Sequence, residues 1–223
     1  MSSKILEAKN LKKNYQSGAS VVKALNGISV SVKKGEFLMI IGKNGSGKST
    51  FLHQLALLDK PDFGEIYIEN QKVTNLAEKE KSKLRLNKLG YIFQEYALIT
   101  ELSVLENVML PAMMIGTTKN AKKRAKQLLK KIGLINKSNR LPSQLSGGEQ
   151  QKVAIARSLI NSPKIIFADE PTANLDTNAS KEILNIFKNL NQKDNITIIM
   201  VTHEMDELKY ASRKIKLSDG KLI

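Results

Sequence analysis

The sequence predicts an α/β fold: a mostly parallel sheet with helices on both faces, an antiparallel β layer near the N-terminus, and an inserted helical subdomain. Three observations predict it. Short continuous apolar runs recur at Phe37–Ile41, at Ile165-Ile166-Phe167-Ala168 and over 196–201, as strands buried on both faces require. Stretches with apolar residues at helical spacing alternate with those runs, which is the pattern of a parallel sheet. The stretches 21–32 and 64–73 instead carry strands close together with turn residues between them, as in an antiparallel layer.

The elements follow in chain order. A strand-like stretch begins just after Met1-Ser2-Ser3-Lys4, with no apolar h-region of a signal peptide before it. The turn Lys34-Gly35-Glu36 leads into the strand Phe37–Ile41, and a helix is expected over 48–57. A strand is expected over 89–93. From 96 to 159 the pattern is almost wholly helical, ending in a helix over 150–160. Pro163 precedes the next buried strand. A helix over 180–190 then places Ile183, Ile186, Phe187 and Leu190 on one face, before the strand 196–201. The expected organisation is one domain, 1–223, with an α/β core from 1–95 and 160–223 and a helical subdomain over 96–159.

Composition narrows the function. The chain has 223 residues, 41% hydrophobic and 26% charged, which is globular rather than disordered. It has no Cys, so disulfide frameworks and thiolate metal sites are excluded. The longest uncharged apolar run, 108–116, is interrupted by Pro111 and falls far short of the ~20 residues of a spanning helix. The net charge of +15 suits nucleic acid, an anionic membrane surface or a phosphate ligand. Part of it lies between Lys119 and Lys131, which hold seven basic residues and no acid. Ala121, Ala125, Leu128, Leu129 and Ile132 recur there at helical spacing, so those cations are expected on a solvated helix face.

The chemistry begins at Gly42-Lys43-Asn44-Gly45-Ser46-Gly47-Lys48-Ser49, followed by Thr50. This is the phosphate-loop pattern between a predicted strand and a predicted helix, and it makes the core a P-loop NTPase core. Glycines let successive backbone N–H groups turn inward onto phosphate oxygens, at the positive end of a helix. Lys48 is expected to reach the β- and γ-phosphates of ATP, and the Ser49 hydroxyl to ligate Mg2+. Further on, the apolar strand 165–168 delivers Asp169 and Glu170 to its C-terminal end, where open α/β sheets bind ligands. Asp169 is expected to support the metal and Glu170 to activate the attacking water.

Leu145-Ser146-Gly147-Gly148-Glu149 opens a predicted helix twenty residues before Ile165. A Ser hydroxyl, two glycines and a helix N-terminus make a second anion-binding device, which one triphosphate on one chain does not need. With this pentapeptide the chain resembles the ABC ATPases, and the resemblance spans essentially its whole length. It implies that Ser146, Gly147, Gly148 and Glu149 grip the nucleotide of a second copy, with ATP held head-to-tail between two cassettes. It also implies an adenine contact at Tyr15, 27 residues before Gly42, and a Gln94 that touches magnesium and water and links to a membrane subunit. Asp176 in Ala173-Asn174-Leu175-Asp176 is implied to cross the dimer interface, with a helix N-cap as its competing role. His203 is implied to contact the γ-phosphate. Lys43-Asn44 and Ala173 depart from the commonest family residues. Since the chain stops just after Asp219-Gly220, no C-terminal regulatory extension is expected.

Leu58-Asp59-Lys60-Pro61, Gly64-Glu65 and the stretch 102–108 look most like cassettes of the lipoprotein-release and macrolide-export group. The implied protein is an ATPase on the cytoplasmic face of the cell membrane, driving a separate permease subunit. Apolar Tyr96, Leu98, Ile99 and Leu102 are candidates for the surface that receives it. The alternative is an ABC ATPase acting on nucleic acid or ribosomes. Gln94 and Leu145 lie only 51 positions apart with no sustained heptads, and one cassette is present, so no direct nucleic-acid contact is expected.

Overall fold

The structure is a computed structural model that describes residues 3–18, 20–116 and 118–223. Two sheets carry it. The first is antiparallel, in the order β2-β1-β4-β5, from strands β1 (Lys4–Ser17), β2 (Ser20–Lys33), β4 (Phe63–Ile68) and β5 (Gln71–Lys72). The second uses β3 (Phe37–Ile41), β6 (Leu89–Ile92), β7 (Ile165–Asp169), β8 (Thr197–Thr202), β9 (Arg213–Ser218) and β10 (Lys221–Leu222), in the order β10-β9-β3-β8-β7-β6. All its pairings are parallel except β9 with β10.

The apolar runs become central strands because they have two faces to fill. Leu38, Ile40, Ile165, Phe167, Ile199 and Val201 point into a core shared with the antiparallel sheet and helix α1 (Lys48–Leu55). Their neighbours Phe37, Met39, Ile166, Ala168, Ile198 and Met200 point the other way, onto helices α5 (Gly147–Leu159) and α6 (Thr177–Gln192). A third core lies among α3 (Val104–Met114), α4 (Thr118–Lys131) and α5, where Val108, Ala125, Leu129 and Val153 are fully buried. Helix α5 serves two cores at once: Val153, Ala156 and Ile160 after its end face α3 and α4, while Ile155 and Leu159 face the central sheet. The cations of α4 from Lys122 onward are exposed opposite its buried Ala121, Ala125, Leu129 and Ile132, as its periodicity predicts.

The helix boundaries differ from expectation for local reasons. Helix α1 stops at Leu55 because Leu57 takes a left-handed conformation, φ 61°. Helix α5 begins at Gly147 rather than 150, since Ser146 caps it and its Oγ accepts from the Glu149 N–H. Asp176 likewise accepts from the N–H groups of Asn178 and Ala179 at 2.8 and 2.9 Å, which extends α6 back to Thr177. Pro111 lies inside α3 instead of ending the apolar stretch. The stretch 64–73 divides at Glu69 and Asn70, both left-handed at φ 50° and 64°, as a tight hairpin turn requires. Helix α2 (Glu78–Lys88) had no expectation in the sequence.

Candidate functional site

The phosphate-loop segment runs from the end of β3 into α1, at the C-terminal edge of the parallel sheet. Gly47 is indispensable to its path. It has φ 97°, and a Cβ there would lie 2.3 Å from the carbonyl oxygen of Ala24 on β2. Gly42 is similarly pressed, with a Cβ position 2.4 Å from the Leu217 carbonyl oxygen and 2.5 Å from Ser46 Oγ. Gly47 offers no side chain to cap α1, and the first turn of α1 holds no acid, so its N–H groups suit an anion. Ser46 Oγ is buried with no hydrogen-bond partner among the described residues.

A cleft of about 820 Å³ opens over this loop. It is lined by Tyr15, Asn44, Gly45, Gly47, Lys48, Ser49 and Thr50, together with Gln94 and Glu170. Lys48 is buried; its Nζ donates to the carbonyls of Gly42 and Lys43 and lies 3.3 Å from Glu170 Oε1. Ser49 Oγ donates to Asp169 Oδ1 at 3.0 Å. Asp169 ends the fully buried strand β7, and its second oxygen lies 3.4 Å from the Tyr91 hydroxyl and 3.6 Å from His53 Nε2. Burial pushes the Asp169 carboxyl above the ordinary aspartate range, partly opposed by the Ser49 hydroxyl.

Glu170 sits in the left-handed region at φ 41°, an uncommon conformation for a residue with a side chain. Its backbone N–H donates to the Val201 carbonyl, and its Oε2 lies 2.9 Å from His203 Nδ1. The carboxylate thus stands between Lys48 and His203 at the edge of the cleft. Gln94 follows β6 and is exposed on the cleft wall. Tyr15 is 42% exposed on the cleft wall, with Lys13 Nζ over its ring at 5.3 Å from the centre, while its hydroxyl donates to Asp59 at 2.9 Å. Burial and the Asp59 carboxylate both raise the Tyr15 pKa.

Ser146, Gly147, Gly148, Glu149 and Asp176 do not line this cleft, and neither does the exposed Lys43 side chain. Ser146 and Glu149 form a reciprocal capping box, and Glu149 also pairs with Lys137, which lowers its pKa. Gly147 abuts the tip of the Tyr96 side chain, where a Cβ would come within 2.8 Å of the phenol oxygen. Tyr96 and Ala97 are both left-handed, at φ 60° and 50°, and Arg157 of α5 donates to both of their carbonyls. Leu98 packs on the helical core while staying half-buried, and Tyr96 is half-buried with its hydroxyl close to Gly147. The exposed apolar side chains of this region are Phe93 and Ile99.

Sequence reasoning missed part of the cleft wall. Val22, Lys23, Ala24 and Asn26 of β2 line it, as do Asp219 and Gly220 between β9 and β10. Backbone joins these two segments: the Asn26 N–H donates to the Gly220 carbonyl at 2.8 Å, and the Gly220 N–H to the Ser46 carbonyl at 3.1 Å. No residue type announces such contacts. Gly47 and Gly220 are both pressed on Ala24, but only the fold shows what they press against.

Among the described residues no helix is long and apolar enough to cross a membrane, and no group of three or more His, Cys, Asp or Glu could hold a metal ion.

Known proteins share this arrangement. The ABC transporter family profile matches residues 25–173. An uncharacterized ABC transporter ATP-binding protein of Methanocaldococcus jannaschii is 50% identical over 220 residues, 98% of each chain. The lipoprotein-releasing system ATP-binding protein of Aquifex aeolicus is 48% identical over 220 residues, covering 98% of this chain and 96% of that one. A second ATP-binding cassette of M. jannaschii, solved as a dimer in a post-hydrolysis state with ADP and phosphate, superimposes with a TM-score of 0.90. It is 42% identical, and the match covers 97% of this chain and 96% of that one. On its phosphate loop, its fold and these relatives, the chain belongs to the ABC transporter family, as one of the family's ATP-hydrolysing cassettes.

Proposed function

We propose that two copies of this chain close head-to-tail on ATP and drive a separate membrane permease from the cytoplasmic face of the cell membrane, for export or for lipoprotein, peptide or macrolide handling. One observation carries the reading. The cleft gathers the loop, Gln94 and Glu170 on one side of the chain, while Ser146-Gly147-Gly148 lies outside it. A signature that does not reach its own chain's cleft is explained when it serves the cleft of a second copy. The dimeric relative and the lipoprotein-releasing relative support both partners. Residues 96–159 are taken as the helical subdomain that carries the signature, since α3, α4 and α5 enclose a core of their own.

In this reading Tyr15 stacks on adenine, and the N–H groups of 42–50 with Lys48 bind the phosphates. The Ser49 and Asp169 oxygens, 3.0 Å apart, are hard donors of the kind magnesium takes together with phosphate oxygens and water. Gln94 would complete that set. The metal, when bound, neutralises charge on the β- and γ-phosphates. Glu170 takes a proton from the attacking water, His203 fixes the Glu170 carboxylate through Nδ1 and faces the γ-phosphate, and Asp176 orders the loop at the interface.

The test is Glu170→Gln, which keeps size but removes the base. Light scattering at saturating ATP is expected to show a dimer with hydrolysis lost, and adding Ser146→Arg is expected to return it to monomer. An ATP-loaded Glu170→Gln variant that stays monomeric even with Ser146 intact would remove the sandwich.

A further inference from the structure

Glu207 plays no part in the chemistry described above, yet its surroundings are unusual. It lies in the short 3-10 turn Met205–Tyr210 after β8 and is only 6% exposed. Among the described residues no cation comes within ion-pairing distance of its carboxylate. Two buried hydroxyls satisfy it instead. Thr172 Oγ1 donates to Oε1 at 2.5 Å, and Thr202 Oγ1 donates to Oε2 at 2.6 Å. Thr202 Oγ1 in turn accepts from the Glu204 N–H at 3.0 Å. A buried carboxylate with no counter-charge costs stability that two hydroxyl bonds do not fully offset.

The positions of the two threonines give that cost a use. Thr172 stands two residues after Glu170, in a turn closed by the Ala173 N–H on the Glu170 carbonyl. Thr202 stands one residue before His203. Both loops leave the ends of adjacent parallel strands, β7 and β8, and the Glu170 N–H already bonds across to Val201. The backbone bond fixes where Glu170 starts, but nothing in it fixes the splay of the two loops beyond. A rigid two-oxygen bridge between Thr172 and Thr202 does.

We propose that Glu207 is a positioning residue for ATP hydrolysis, whose carboxylate clasps Thr172 and Thr202 and so sets the Glu170 carboxylate against the His203 ring. The inference rests on the roles given above to Glu170 and His203. It assigns to Glu207 an effect on turnover and none on nucleotide binding, because Tyr15, Lys48 and the phosphate loop do not touch it.

The experiment measures steady-state hydrolysis and ATP affinity of the full chain with Glu207→Ala, Glu207→Gln and Thr172→Val. Misplacing a catalytic group by a fraction of an ångström to 1 Å costs up to about 100-fold, so kcat of Glu207→Ala is expected to fall by about 30-fold with KM within about 2-fold. Glu207→Gln is expected within about 5-fold of wild type, because its carbonyl accepts one hydroxyl and its amide donates to the other. Thr172→Val alone is expected to cost about 10-fold, and nothing more when added to Glu207→Ala, as members of one network are not additive. A kcat within about 2-fold of wild type in folded Glu207→Ala overturns the inference, as does a multiplicative Thr172→Val effect. Should Glu207→Ala not fold, unchanged turnover in the near-isosteric Thr172→Val overturns it equally. Glu170→Gln is assayed alongside: if it hydrolyses normally the reading of the site falls, and if it is dead while Glu207→Ala is fully active only the clasp falls.

Discussion

The Ser49 hydroxyl donates to Oδ1 of Asp169 over 3.0 Å, so the first turn of α1 is tied to the C-terminal end of β7. Burial nevertheless leaves the Asp169 pKa raised. A raised carboxyl contributes its stability below the ordinary aspartate range and loses it as pH rises through the raised value. At neutral pH the ionised Asp169 therefore weighs against the fold. Asp169→Asn is expected to raise the melting temperature at pH 7 and to change it less at pH 4, while hydrolysis falls by about 100-fold. Equal melting shifts at both pH values would contradict the titration behind this expectation.

Lys48 is held by the carbonyls of Gly42 and Lys43 and by Glu170, all within the loop and its rim. On the proposed site, Lys48→Ala removes the cation that faces the phosphates but no part of the three cores. Turnover is expected to fall by at least about 100-fold, with circular dichroism unchanged. Wild-type turnover in a folded Lys48→Ala protein would remove the phosphate-loop assignment.

Gly45 and Gly47 separate two costs that usually travel together. Both have positive φ, 77° and 97°, but a Cβ at 45 meets nothing within 4 Å, whereas one at 47 meets the Ala24 carbonyl at 2.3 Å. Gly45→Ala is expected to cost about 1 kcal/mol in denaturant unfolding, the strain of the backbone alone. Gly47→Ala must also push β2 away, and is expected to cost more and to weaken ATP binding by at least about 10-fold. Equal destabilisation by the two would mean that Ala24 yields freely.

The exposed apolar side chains beside Gln94 are Phe93 and Ile99. If the permease docks there, Ile99→Glu is expected to abolish co-purification with it and leave hydrolysis by the isolated chain within about 2-fold, because rim charges act on association. Leu98→Glu is expected to destabilise the chain itself, since Leu98 packs on the helical core. Full coupling in Ile99→Glu would move the docking surface elsewhere.

Elements defined by periodicity or by special residues were legible. Phe37–Ile41 and Ile165–Asp169 have no polar face, and the glycines of the phosphate loop have no other use at that spacing. Helix α2 was not, because Lys and Glu occupy nearly every side of it and only Lys81 is buried. Strand β9 escaped for a related reason: Arg213, Lys214 and Lys216 interrupt it, and its place is set by the parallel pairing with β3. In the cleft, side-chain chemistry pointed to Lys48, Asp169 and Glu170. Ala24, Asn26 and Gly220 contribute through backbone and proximity, which only the fold reveals.

Helix α5 is seated in two cores, and Arg157 near its C-terminal end grips the carbonyls of Tyr96 and Ala97. Gly147, at the other end, lies ten residues away, roughly 15 Å at 1.5 Å per residue. With the Arg157 grip as fulcrum, the stiff helix between it and Gly147 is an arm of that length. Tilting the helical layer by about 10° about that fulcrum sweeps Ser146 through roughly 2–3 Å on that arm, while the carbonyls gripped by Arg157 scarcely move. On the proposed sandwich, that sweep is comparable to the difference between a hydrogen bond from Ser146 to the facing phosphate and none, so a small rotation on a stiff arm would make or release that contact.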